Sequence, residues 1–139
     1  MTQPKTALHH VVFAIAPERL DTAAEFLTSL GFEFEAFELE HLGLQIRLDW
    51  DRGFELISPT PAAPNDPGSA AEFLTRCGDG LFSVVVRVPD ADVATDIARR
   101  YGTKPDFEQA MDDGGFDLKE VKLEALCGIP LTLLQTNLP

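Results

Sequence analysis

The chain has 139 residues, 45% of them apolar, with 23 acidic side chains against 11 basic ones and a formal charge of −12. A chain of this length buries roughly two-thirds of the surface its unfolded form exposes, so its core needs no disulfide framework. The surplus of carboxylates argues against nucleic acid, which requires a basic footprint, and disfavours anionic lipid and phosphate-rich ligands such as coenzyme A thioesters.

Residues 8–15, LHHVVFAI, read as a strand that stops at Ala16-Pro17. Over 18–30, Leu20, Ala23, Ala24, Leu27 and Leu30 recur at helical spacing and Gly31 follows as a stop. Three strand-like runs come next: FEFEAFELE (32–40), LGLQIRLDW (42–50) and GFELIS (53–58). The Pro-rich stretch 59–69 reads as a linker, and Ser69-Ala-Ala-Glu72 as a capping box opening a short helix to about Cys77. LFSVVVRV (81–88) is a strand, 90–101 a helix ended by Gly102, and 105–110 a weak strand. DDGG (112–115) is a turn, 116–126 a strand, and IPLTLLQT (129–136) the last strand.

The order is βαβββ, linker, βαβββ, with expected segments 1–58, 59–80 and 81–139. The halves overlay: Leu8 falls on Leu81, Val11 and Val12 on Val84 and Val85, and Ile15 on Val88. With a shortening of two residues, Asp21 falls on Asp92, Ala23 on Ala94 and Gly31 on Gly102. A repeated unit that leaves one sheet face unburied alone accounts for this self-similarity.

These residues resemble the vicinal oxygen chelate superfamily, which includes glyoxalases, extradiol dioxygenases, methylmalonyl-CoA epimerases and bleomycin- and fosfomycin-resistance proteins. The resemblance runs from about Leu8 to Thr136. It rests on the paired βαβββ units, the His10-Val-x-x-x-Ile15 opening strand, Leu30-Gly-Phe at the end of the first helix, and the Phe54-Glu-Leu strand ending at Pro59. It implies an α+β fold in which each module curls its sheet into a half-barrel, with a ligand cavity on the concave face and helices outside. In metal-dependent members the first and last strands of each module supply the ligands. By position these are His10 and Glu55 in the first module and Ser83 and Thr132 in the second.

Strand alternation places His10 with Val12 and Ala14 on the concave face, and His9 with Val11, Phe13 and Ile15 on the other. Imidazole and carboxylate are competent ligands for Zn, Ni, Mn or Fe; the hydroxyls of Ser83 and Thr132 are poor ones. His10 and Glu55 are therefore metal-ligand candidates in an incomplete site, and Glu55 doubles as a catalytic-base candidate. The plainer alternatives are a metal-free polar His10, and a Glu55 that is exposed or paired with Arg47 or Arg87. Ser83 and Arg87 share a face, and Trp50, with Phe32, Phe34 and Phe37, is a candidate cavity wall. His41 lies in a turn, and Cys77 and Cys127 are expected to pack.

The expectation is a small-molecule-binding protein with a degenerate metal site, of the sequestering, bleomycin-resistance type. Its cofactor is none or a weakly held divalent ion, and an acidic bowl favours a cationic or neutral ligand. One alternative is a glyoxalase-like metal-dependent lyase, isomerase or epimerase using His10 and Glu55. An extradiol dioxygenase fits less well, since it needs two histidines and a carboxylate. A second alternative is a non-catalytic structural or regulatory module. A homodimer is expected, covering sheet edges and apolar faces. With no apolar run near 18 residues and no apolar core in MTQPKTALHH, no membrane association and a cytoplasmic location are expected.

Overall fold

The computed structural model describes residues 5–112 and 114–139. The chain forms two compact units: His10–Phe82, and Ser83–Pro139 with the chain before His10. Their elements are those of two successive βαβββ modules, which makes the fold α+β.

The first module holds β1 (Ala7–Ala14), α1 (Leu20–Leu30), β2 (Glu35–Leu39), β3 (Leu44–Asp49) and β4 (Phe54–Pro59), followed by α2 (Ala70–Cys77). Its strand order is β2-β3-β4-β1. β1 runs parallel to β4, with Val12 opposite Glu55, and the other pairs are antiparallel. The Ala16-Pro17 break becomes a short 3-10 turn, Pro17–Arg19, with proline where no amide partner is needed. α1 ends at Gly31 with φ 117°, a left-handed cap that favours glycine. Ser69 Oγ accepts the Glu72 amide at 3.1 Å and starts α2.

Two expected strands are shorter than their sequence pattern. Phe32 and Phe34 stand before β2, because the Phe32 ring stacks on Phe34 and packs edge-on against Phe54, 5.1 Å away. Residues Glu40–Leu42 form a 3-10 turn closed by Gly43 with φ 63°, so β3 starts only at Leu44.

The second module holds β5 (Gly80–Arg87), α3 (Ala91–Arg100), β6 (Pro105–Asp112), β7 (Asp117–Leu123) and β8 (Leu131–Thr136), in the order β5-β8-β7-β6. β5 and β8 are parallel, with Val85 opposite Thr132. Asp90 caps α3 by accepting the amides of Asp92 and Val93, and Gln135 accepts that of Ala91. The core between α3 and the sheet contains Val88, Ala91, Val121, Leu123 and Leu133. β7 stops short of the expected 126 because the Glu124 amide turns to Lys104 and Leu126 bridges Ile129. The turn expected at 112–115 contains Asp113, which lies outside the described residues. No helix among the described residues is long and apolar enough to cross a membrane.

Candidate functional site

Each sheet has one face toward its helices and one away from them. In the first module Phe13 stacks on Phe54, 5.4 Å between centroids, on the face that also receives Phe32. Alternation then sends His10, Val12 and Ala14 to the opposite face. The β1–β4 register adds Glu55 and Ile57 to that face, and β3 adds Leu48 and Ile46. On this helix-free face His10 Nε2 lies 3.1 Å from Glu55 Oε1. His10 is 4% exposed and the Glu55 side chain 18%, so the carboxylate is the more accessible member of the pair. When the carboxylate is ionised, Nε2 carries the proton and donates it. The Trp50 ring centroid is 6.1 Å from that of His10, tilted 41°.

In the second module Val86 packs into the α3 core and Ser83, Val85 and Arg87 take the other face. Ser83 and Thr132, both buried, share a hydrogen bond of 2.6 Å, and Ser83 also reaches the Pro130 carbonyl at 3.3 Å. Arg87 Nη2 donates to the Thr136 carbonyl at 2.8 Å. Lys122, opposite Thr132 in the register, is paired with Asp106 at 2.9 Å.

The sequence-derived residues therefore converge within their own modules as two pairs, one ionisable and one neutral. Arg47, a proposed partner for Glu55, points the other way to Asp21 on α1. Phe32 stands on the helix side rather than with His10. His41 is exposed in its 3-10 turn. Cys77 and Cys127 are exposed rather than packed, because Cys77 closes a surface helix and Cys127 sits with φ 54° in the tight turn after β7. An open depression of about 280 Å³ between β6, β7 and β8, lined by residues that include Met111, Leu118 and Lys119, contains none of these side chains.

Sequence reasoning missed two carboxylates. Asp49 is 3% exposed and accepts the amides of Glu33 and Arg52 and a guanidinium N–H of Arg52. Burial pushes its carboxyl up, but these hydrogen bonds and the Arg52 charge outweigh burial and hold it below the usual range. Asp79 binds the Arg19 guanidinium and the Ala16 amide. The Arg19 hydrogen bond chiefly lowers its pKa, against a smaller upward push from burial. The turn-forming composition of DWDRG and GDG was the available signal.

The donor set supplies half of a metal centre. Two donors on one ion, each roughly 2.0–2.2 Å from it, stand about 3 Å apart, so His10 and Glu55 suit adjacent positions. A catalytic zinc site needs three protein ligands. Ser83 and Thr132 instead present neutral hydroxyls closed on each other. Among the described residues no three His, Cys, Asp or Glu side chains group to hold a metal. The residues do not fit the full chelate that the family resemblance implies.

No family model and no curated protein matches the chain. Solved structures do. A methylmalonyl-CoA epimerase in complex with methylmalonyl-CoA and NH4+ is 21% identical, with 95% of each chain covered and a TM-score of 0.69. The methylmalonyl-CoA epimerase of Mycobacterium tuberculosis is 24% identical over 92% of this chain and 86% of that one, TM-score 0.63. A mutant 4-hydroxymandelate synthase from Streptomyces coelicolor is 19% identical over 99% of this chain and 50% of that one, TM-score 0.68. The chain thus has the vicinal oxygen chelate fold. At these identities the similarity to the epimerases and the synthase is one of architecture, which fixes no reaction.

Proposed function

We propose that the chain binds a small organic molecule on the helix-free face of a module, where the metal-ligand positions that the family resemblance implies are degenerate. The observation that carries this reading is the Ser83–Thr132 hydroxyl pair at 2.6 Å, where the family resemblance calls for metal ligands. Two neutral hydroxyls bonded to each other are poor ligands for a transition metal. The His10–Glu55 pair beside Trp50, with Val12, Ile46 and Ile57 on the same face, supplies the few polar groups in apolar surroundings that small-molecule sites use. Sequestration of a ligand, in the manner of bleomycin-resistance proteins, needs nothing more. A cytoplasmic homodimer belongs to the same reading.

A second reading is favoured by the 3.1 Å separation of His10 Nε2 and Glu55 Oε1, which suits neighbouring ligands of one divalent ion. It makes the chain a glyoxalase-like lyase, isomerase or epimerase, the last being the activity named for two of its structural neighbours.

Thermal shifts with chelator-treated protein separate the two. The probes are neutral aromatics, organic cations, small carboxylates and methylmalonyl-CoA. A ligand at about 100 times its Kd raises Tm by roughly 5–10 °C for a chain of this size. The binding reading expects such a shift without metal, reduced in Thr132→Val and Glu55→Gln. A shift that appears only when Zn, Ni, Mn or Fe(II) is added overturns it in favour of the enzyme.

A further inference from the structure

Arg87 ends β5 on the helix-free face of the second module, in register with Leu134 and two residues beyond Val85, which stands opposite Thr132. It is half-buried. Its hydrogen bonding stops at one neutral acceptor, the Thr136 carbonyl. Its Nε is buried with no acceptor. Arg19, Arg47, Arg52 and Arg76 each have a carboxylate within 4.0 Å, whereas among the described residues no carboxylate meets Arg87. Arg99 and Arg100 also lack one, but both are exposed at the end of α3, where water solvates them. On the same sheet face the other cation, Lys122, is held by Asp106.

A guanidinium stays protonated at every accessible pH, so withdrawing it from water without a counter-charge is costly. Among the described residues no carboxylate lies within ion-pair distance of it; Glu120, across Leu134 in the β7–β8 register, shares the face but bonds to Gln109. We infer that Arg87 is the anion anchor of the ligand site proposed above, and that the ligand is a small organic acid whose carboxylate supplies the counter-charge the guanidinium lacks. The inference rests on the small-molecule reading and specifies its ligand class.

Nη2 already donates to Thr136 and Nε is enclosed, so the remaining terminal N–H groups are the donors left for an anion. A singly charged carboxylate is favoured over a phosphate dianion because the chain's formal charge of −12 opposes the second negative charge. Ser83 and Thr132 lie on the same face toward the other end of β5 and β8, roughly 7–14 Å along the strands. A hydroxyl or carbonyl must stand roughly five or more bonds from the carboxylate to reach them. The overall charge of −12, which favours a cationic or neutral ligand, acts over the whole surface; the local cation at Arg87 decides which group enters.

The test is isothermal titration of the wild type, Arg87→Gln and Arg87→Lys with paired probes. A series of aliphatic and aromatic acids with a hydroxyl or carbonyl at increasing distance from the carboxylate is matched by the corresponding primary amides, with inorganic phosphate as a separate arm. Circular dichroism and Tm establish that the variants fold, and Arg87→Lys keeps the charge if Arg87→Gln does not fold. The expected result is that acids bind the wild type roughly 10- to 100-fold more tightly than their amides. Arg87→Gln abolishes that preference by weakening the acids more than the amides, Arg87→Lys retains part of it, and phosphate binds more weakly than the acids. Equal acid and amide affinity in the wild type, or a preference that survives in Arg87→Gln, overturns the anchor and leaves the small-molecule reading standing. Phosphate binding as tight as the best acid overturns the carboxylate assignment. If neither acids nor amides bind, both the anchor and the reading beneath it fall.

Discussion

Asp49 is 3% exposed and gathers three N–H donors, from Glu33 and twice from Arg52, which fixes the turn between β3 and β4. In the sequence it is one polar residue alternating with leucines, and only its neighbours in DWDRG mark a turn. The turn matters because Glu55 follows it by two residues on β4 and Trp50 lies within it. Asp49→Asn swaps the charged acceptor for a weaker one and is expected to cost about 1–3 kcal/mol in urea unfolding at pH 7. The folded carboxyl titrates below its unfolded value, near pH 3.9, so its stabilisation is full above that pH. It is lost as pH falls through the folded value. The gap between wild type and Asp49→Asn therefore closes below about pH 4; a gap of constant size down to acid unfolding contradicts this role. His10 and Glu55 were named together only through the family resemblance; alternation placed His10, and it is the β1–β4 register that brings Glu55 to the same face. The bare Nε of Arg87 was not, since no one-dimensional pattern states what a guanidinium lacks.

At the scale of elements, every strand and helix of the two modules was legible, and the misplaced boundaries have particular causes. The alternation in FEFEAFELE suggested a strand from 32, but Phe32 and Phe34 join the aromatic cluster around Phe54 instead. In LGLQIRLDW the apolar period runs through Gly43, whose φ of 63° breaks it. That glycine also receives the Pro-rich stretch. The Thr60 amide donates to its carbonyl at 2.8 Å, and a Cβ at Gly43 would stand 2.6 Å from Ala63 Cα. Because the obstruction is backbone, Gly43→Ala must push residues 60–63 away as well as adopt a disfavoured φ. The expected result is a loss of about 1–3 kcal/mol with faster proteolytic cleavage within 59–69. Unchanged cleavage with unchanged stability contradicts this docking.

Taken whole, the molecule is one supersecondary unit used twice, with different chemistry on each copy. The repeat was readable because β-branched runs, helix stops and spacings survive duplication, whereas polar residues on the helix-free face are free to diverge. The first copy carries an imidazole and a carboxylate 3.1 Å apart; the second carries two hydroxyls 2.6 Å apart. That asymmetry underlies the central claim, that the site serves a small ligand and not a tightly chelated ion. Metal content by mass spectrometry tests it most directly, on untagged protein prepared without chelator alongside His10→Ala and Glu55→Ala. The account predicts well under one ion per chain in the wild type, even after incubation with Zn, Ni, Mn and Fe(II) followed by desalting. About one ion per wild-type chain, lost in both variants, would contradict it and establish His10 and Glu55 as ligands of a working metal centre.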